Sequence, residues 1–288
     1  KRSRKKPFQN STDMRMRLCT IIVIRAYMDF LEFLSYPFMQ RAVLDGLFLG
    51  VLLASLGVFV TLRKMAFFGE GIAHASLAGI ALAVLTGLSP LPIALLWGLL
   101  LAVCIFLLEQ KTRLAIDTVI GIFFTASMAL GVVIMDLIPG YKPELVSFLF
   151  GSILGVSIQD LIIIALGTVC IMTWLLMHRR SLIYTSLSPE QAHVSGVSVK
   201  QQTLLFYIAL ALATVLGVKI LGIILISALL ILPPAISRIA TRSFSSYFLW
   251  SILFAEAMIF FGLFLSFTWD IPSGATIVLL GTAAFFLT

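Results

Sequence analysis

Residues Arg63–Gly79 read RKMAFFGEGIAHASLAG. Arg63 and Lys64 end one apolar run, and a second begins at once with Glu70 and His74 inside it. On a helix these two positions are i and i+4, one turn apart on one face, with Cβ atoms about 5–6 Å apart. A carboxylate and an imidazole at that spacing can share one divalent cation, since both are ordinary ligands for zinc-like metals. They can also simply hydrogen-bond each other or a neighbouring helix. Ionisable groups inside an apolar span are costly, so they usually face a cavity, a partner or a transported ion.

Working outward, apolar residues make up 60% of the 288 and charged residues 11%, against about 45–50% and 25% in soluble domains. Long apolar runs without alternation predict an all-α polytopic membrane protein and argue against a barrel. The net charge of +7 is local. Residues 1–27 hold eight of the 20 Lys and Arg and only Asp13 of the 13 acidic residues, which leaves 28–288 neutral. A basic head could suggest contact with nucleic acid or anionic lipid. The simpler reading is a disordered extension, or sequence ahead of a start near Met28, with no nucleic-acid partner. Its run Leu18–Ile24 is too short for a secretory signal. Cys19, Cys104 and Cys170 are far apart and form no Cys-x-x-Cys pair, so neither disulfides nor a thiolate zinc site is expected.

Residues 28–288 read as a single transmembrane domain. Met28–Arg41 is expected to lie amphipathically at the interface. Spans follow at about Ala42–Leu62, with Asp45 and a Gly46-x-x-x-Gly50 packing motif, then Ala66–Gly87, Ile93–Leu108 and Ile116–Ile138, where Asp117 is read as an N-cap. Ala73, Ala75, Ser76 and Gly79 keep the second span small, for close packing or for a passage. Leu145–Ser157 is only about 13 apolar residues, which suits a re-entrant helix. After a span at Leu161–Met177 comes the polar stretch His178–Gln202, in which His178 and His193 read as solvated. Within it Ser188, Pro189 and Glu190 read as N-cap, first-turn proline and acidic first turn, and Gly196 as a stop. The result is a short helix over about Pro189–Ser195 that suits protein docking. Two runs, Thr203–Val218 and Ile220–Ile236, are hinged at Gly217-Val218-Lys219. Tyr247–Phe267, interrupted by Glu256, and Ala275–Thr288 complete eight or nine spans. Basic residues gather at Arg63/Lys64, Lys111/Arg113, Arg179/Arg180/Lys200 and Arg238/Arg242, which all fall on one side if Leu145–Ser157 does not cross, and that side is then expected to be cytoplasmic.

No G-x-x-x-x-G-K-[ST], H-E-x-x-H or G-x-S-x-G occurs, so neither nucleotide hydrolysis nor hydrolase chemistry is expected of this chain. Four stretches instead resemble the permease subunits of metal-uptake ABC transporters, which import zinc, manganese or iron. RKMAFFGEGIAHASLAGIALA is similar to the family's basic-Met-x-x-x-Gly-Asp-Ala-x-x-His-Ala-x-Leu-Pro-Gly segment. DTVIGIFFTASMALGVV looks like its fourth-span signature, and LVSFLFGSIL like its Leu-Phe-Gly-Ser-Ile-Leu piece. LSPEQAHVSGVSV, followed by VLGVKILGIILISALLILPPAISR, matches its cytoplasmic coupling segment and the helix pair after it. Glu70 stands where the family has Asp, and Ala78 where it has Pro.

The resemblance implies a homodimer around one pathway in a bacterial cytoplasmic membrane, alternating access, and Glu70 and His74 as metal contacts. Asp45 and Glu256 are secondary candidates, for which helix–helix hydrogen bonding is an equal reading. It implies no permanent cofactor: the metal is cargo, and ATP binds a separate ATP-binding cassette subunit. That subunit would dock on Ser188, Pro189, Glu190, Gln191, Ala192, His193, Val194, Ser195 and Gly196. An extracytoplasmic metal-binding protein would deliver the ion. The competing readings are a self-sufficient secondary carrier or channel for divalent cations, and a membrane scaffold.

Overall fold

Helix boundaries follow the punctuation of the sequence. The computed structural model describes residues 33, 35–112, 114–138, 151 and 157–288. In order these form α1 (Pro37–Leu62), α2 (Phe67–Thr86), α3 (Pro90–Lys111), α4 (Ile116–Leu137), α5 (Ile158–Leu187), α6 (Pro189–Val194), α7 (Val199–Ala240), α8 (Phe244–Trp269) and α9 (Ser273–Leu287). Proline opens α1, α3 and α6, where a missing N–H costs nothing. Seven of the described helices are long and apolar enough to cross a bilayer; α9, with 15 residues, is shorter. No strand occurs among the described residues.

Several boundaries differ from expectation. Helix α1 begins at Pro37, so the last part of the presumed interfacial segment is its first turn. Nothing breaks α5 before Ser188-Pro189, and residues 178–187, read as loop, continue it to 30 residues. At about 1.5 Å per residue that is about 45 Å, longer than a hydrocarbon core of about 30 Å. His178 is accordingly helical, its Nδ1 3.0 Å from the Trp174 carbonyl and its ring stacked on Trp174. The N-cap of α4 is Ala115, and Asp117 sits inside the first turn. The expected re-entrant segment lies outside the described residues except for Gly151 and Ser157.

The largest correction concerns α7. Its break lies not at Gly217-Val218-Lys219 but at Gly222, whose φ of 76° and ψ of 165° are open essentially to glycine alone. The chain doubles back there. A Cβ on Gly217 would lie 3.1 Å from Ile226 Cδ1, although nine residues of straight helix span about 13.5 Å. Thr214 and Leu230, each eight residues from Gly222, both lie against Gly69 of α2. Helix α7 is therefore a helical hairpin, and α1, α2, α3, α5, α8 and α9 all pack on it.

Contacts at the helix ends show which loops share a face. Arg63, after α1, reaches Thr185 and Ser186 at the end of α5 and Thr203 at the start of α7. Tyr207 donates to Glu109 of α3 at 2.8 Å, and Phe59 meets Phe244 of α8 with ring centroids 5.9 Å apart. The basic loops thus gather at one end of the bundle. At the other end Lys219, beside the hairpin tip, pairs with Asp160 at the start of α5. The Gly46-x-x-x-Gly50 stripe takes Ile259 and Glu256 of α8 against it, as a close-packing motif should.

Candidate functional site

Glu70 lies in the first turn of α2 and His74 one turn deeper. His74 Nε2 is 3.9 Å from Glu70 Oε1, too far for a hydrogen bond, and the side chains are 20% and 44% exposed respectively. Two donors about 2.1 Å from one tetrahedral zinc stand about 3.4 Å apart, so a small rotamer change lets this pair hold one ion. Helix α4 forms the other wall. Phe124 packs edge-on to the His74 ring, with centroids 5.3 Å apart. Glu70 opens into a cavity of ≈ 240 Å³ lined also by Phe67, Gly71, Asp117, Ile120, Gly121 and Phe124. Asp117, expected only to cap a helix, therefore shares the cavity with Glu70.

The small residues of α2 serve packing. Gly71 takes the Ile120 side chain and Gly79 abuts Ala94 and Trp97, while Ser76 donates to the Ala73 carbonyl at 2.6 Å. Ala78 leaves α2 unbroken, and Gly131 of α4 closes on its backbone. Among the described residues no three His, Cys, Asp or Glu side chains converge as a metal cluster. Were the pair to hold a metal, it would supply two donors, and water or a second chain would have to complete the coordination.

Asp45 and Glu256 lie elsewhere. Asp45 is wholly buried in α1, and neither carboxyl oxygen has a hydrogen-bond partner among the described residues. Glu256 of α8 lies against Gly50, where the backbone N–H of Val51 in α1 donates to its carboxylate. The reading as a helix–helix hydrogen-bonding group thus suits Glu256, while for Asp45 no partner lies among the described residues. A buried carboxyl left this way is costly unless a proton or a cation neutralises it.

At the basic end, α6 spans Pro189–Val194 between α5 and α7. Ala192 is its buried anchor, whereas Glu190, Gln191 and His193 are exposed and Val194 is 88% exposed. Gly196, at φ 77°, turns the chain out of it. Ser188 takes the N-cap position without a side-chain cap bond. Arg63 grips both flanks of this helix. Its guanidinium donates to Ser186 Oγ at 3.0 Å, Thr185 Oγ1 at 2.9 Å and Thr203 Oγ1 at 3.4 Å, and lies 4.7 Å from the Phe206 ring centroid.

The profile of the ABC 3 transport family matches residues 35–288. The chain belongs to that family. Among its relatives is the high-affinity zinc uptake system membrane protein ZnuB of Haemophilus influenzae, 35% identical over 246 residues, 85% of this chain and 94% of that protein. Another is the manganese transport system membrane protein MntC of Halalkalibacterium halodurans, 32% identical over 257 residues, 89% of this chain and 88% of that protein. Among solved structures, PsaBC from Streptococcus pneumoniae in complex with Fab superposes with a TM-score of 0.80 at 28% identity, over 91% of this chain and 94% of that one.

Within this ABC 3 family chain, sequence reasoning missed Arg63 as anything but the end of a span. A cation closing an apolar run carries no sign of distant hydroxyl partners. Thr185, Ser186 and Thr203 lie 122, 123 and 140 residues away.

Proposed function

We propose that this chain is the membrane permease of an ABC importer, moving a divalent transition metal such as zinc, manganese or iron by alternating access. The observation that carries the reading is the Glu70–His74 pair, 3.9 Å apart beside a cavity on an apolar helix. Two copies facing one another would complete the ligand set, and a site so sparingly built binds transiently, as a transporter requires. Asp45 and Glu256 are further acidic positions along the path. A separate ATP-binding cassette subunit docks on Ser188–Gly196, and the three hydroxyl contacts of Arg63 carry the motion of α6 to the corner from which α2 starts. An extracytoplasmic protein delivers the metal.

Residues 28–288 form one transmembrane domain in a bacterial cytoplasmic membrane, with the basic end of the bundle facing the cytosol. The two limbs of α7 and the short α9, added to the other spans, support nine crossings. The apolar residues exposed on the outer helices, such as Leu96, Leu100, Leu166 and Met177, suit lipid or the second copy.

The test is purification of the tagged chain from its host, followed by reconstitution. A stoichiometric ATPase and ATP-driven metal uptake that is lost in E70A and H74A are expected. Metal flux through the chain alone, driven by a proton gradient, would overturn the proposal in favour of a secondary carrier, for which the buried Asp45 and Glu256 carboxyls would be the proton sites.

A further inference from the structure

Helices α3 and α5 both pack on α7 but make no extended contact with each other among the described residues. Where they part, at the end of the bundle away from the basic loops, lies a cavity of ≈ 550 Å³ with α2 and α7 behind it. Exposure separates its floor from its mouth. Ser76, Ile80, Ala94, Val215 and Val218 are buried, whereas Ser89 and Lys219 are exposed. From Ser76 to Thr86, the last residue of α2, is about 15 Å by helical rise. That is half of a hydrocarbon core of about 30 Å, the depth of one leaflet. The floor offers no free donor, because the Ser76 hydroxyl donates to the Ala73 carbonyl at 2.6 Å. Both rims are apolar on their outer side, with Leu96 of α3 and Ile162 and Leu166 of α5 exposed.

The mouth, by contrast, is charged. Lys219 Nζ donates to Asp160 Oδ1 at 2.7 Å, and both residues line the cavity. Asp160 is held in place by its capping box: Oδ2 accepts from Ser157 Oγ at 2.8 Å and from the Ser157 N–H at 3.3 Å. Its side chain is 9% exposed, whereas that of Lys219 is 56% exposed. An ammonium carries three N–H groups, and among the described residues Asp160 is the only partner of this one. Lys219 is thus fixed at the rim with donors left over.

We propose that this cavity holds one phospholipid with a zwitterionic headgroup, an acyl chain lying between α3 and α5 and the phosphate on the Lys219 ammonium. The volume is in the usual range of about 300–1,000 Å³ for sites of apolar walls and a few placed polar groups. An alkyl chain matches a floor without free polar groups, and the phosphate accepts the N–H groups that Asp160 leaves. Lys219 and Asp160 cancel in charge. A headgroup with its own cation therefore adds no net charge at the mouth, while an anionic one sets a second negative charge beside the Asp160 carboxylate. So seated, the lipid joins α3 to α5 where the chain itself does not. The inference needs the chain to lie in a membrane, but not Glu70 and His74 to be metal ligands.

The experiment is native mass spectrometry of the purified full chain, with the subunits that accompany it, after delipidation in detergent and addition of phosphatidylethanolamine and phosphatidylglycerol in equal amounts. One phosphatidylethanolamine per copy of the chain should survive activation that strips the micelle. Lys219→Gln should lower its occupancy by about fivefold, the worth of one lysine at a lipid headgroup. Ile163→Trp fills the cavity from a 42% exposed position and should abolish retention while leaving the melting temperature alone. Absence of retained lipid, occupancy unchanged in either variant, or equal retention of phosphatidylglycerol overturns the proposal. Failure of the Glu70–His74 reading would appear elsewhere, as normal metal uptake by H74A, and would leave the lipid occupancy as it was.

Discussion

Replacing His74 with alanine tests the proposed Glu70–His74 metal site most directly. The pair stands 3.9 Å apart where one tetrahedral ion needs about 3.4 Å, and no third donor joins it in a cluster among the described residues. Taking away the imidazole halves what the protein contributes. Removal of a group that merely orients a ligand costs about 10–100-fold in metal affinity, so loss of the ligand itself should cost at least that, or about 1.4–2.8 kcal/mol. His74 is neither hydrogen-bonded to Glu70 nor fully enclosed, and its ring packs mainly on Phe124, so the fold should tolerate the change. The assay is uptake of radioactive zinc or manganese at subsaturating metal, with the amount of permease in the membrane measured alongside. Uptake equal to the parent's at equal protein level would refute the reasoning.

Glu70→Asp, which restores the residue usual in similar permeases, should preserve uptake but change the ratio of zinc to manganese carried, because the shorter arm widens the gap to His74; competition between the two metals measures it. Arg63→Gln removes charge-assisted hydrogen bonds worth about 1.5–3 kcal/mol each. The assembled complex should go on hydrolysing ATP while moving less metal per ATP, and an equal fall in both rates would speak against a coupling role. Gly222→Ala forces a side chain into φ 76°, ψ 165° at a turn that Gly151 closes upon, and should cost about 1–3 kcal/mol, read as a lower melting temperature in detergent. Val194→Asp changes an 88% exposed side chain on α6 and should leave the melting temperature alone while reducing co-purification of the ATPase.

The spans, their order and their charge asymmetry were legible because a bilayer imposes one length and one polarity on each crossing. Pro189 marked the start of α6, whereas Pro37 and Pro90 open α1 and α3 ahead of the expected starts at Ala42 and Ile93. The Glu70–His74 pair was legible for a local reason, since i and i+4 fix each other's distance whatever the tertiary structure. Placement of the hairpin turn was not. Gly217 and Gly222 both flank Lys219 in an apolar run, and only the backbone reveals which adopts the glycine-only conformation. Composition likewise left open whether the small face of α2 was a passage or a contact; Ile120, Ala94 and Trp97 fill it. Asp117 joining Glu70, and Asp160 joining Lys219, are meetings between distant segments on which no spacing rule bears.

The first limb of α7 is in effect a lever arm. It starts just after α6 and carries Lys219 near its far end, about 30 Å away by helical rise. Tilting a rigid rod of that length by 5° sweeps its tip through about 2.6 Å, comparable with the 2.7 Å that separates Lys219 from Asp160. A few degrees of rocking, delivered by a motor on one side of the membrane, is therefore enough to unlatch a charge on the other.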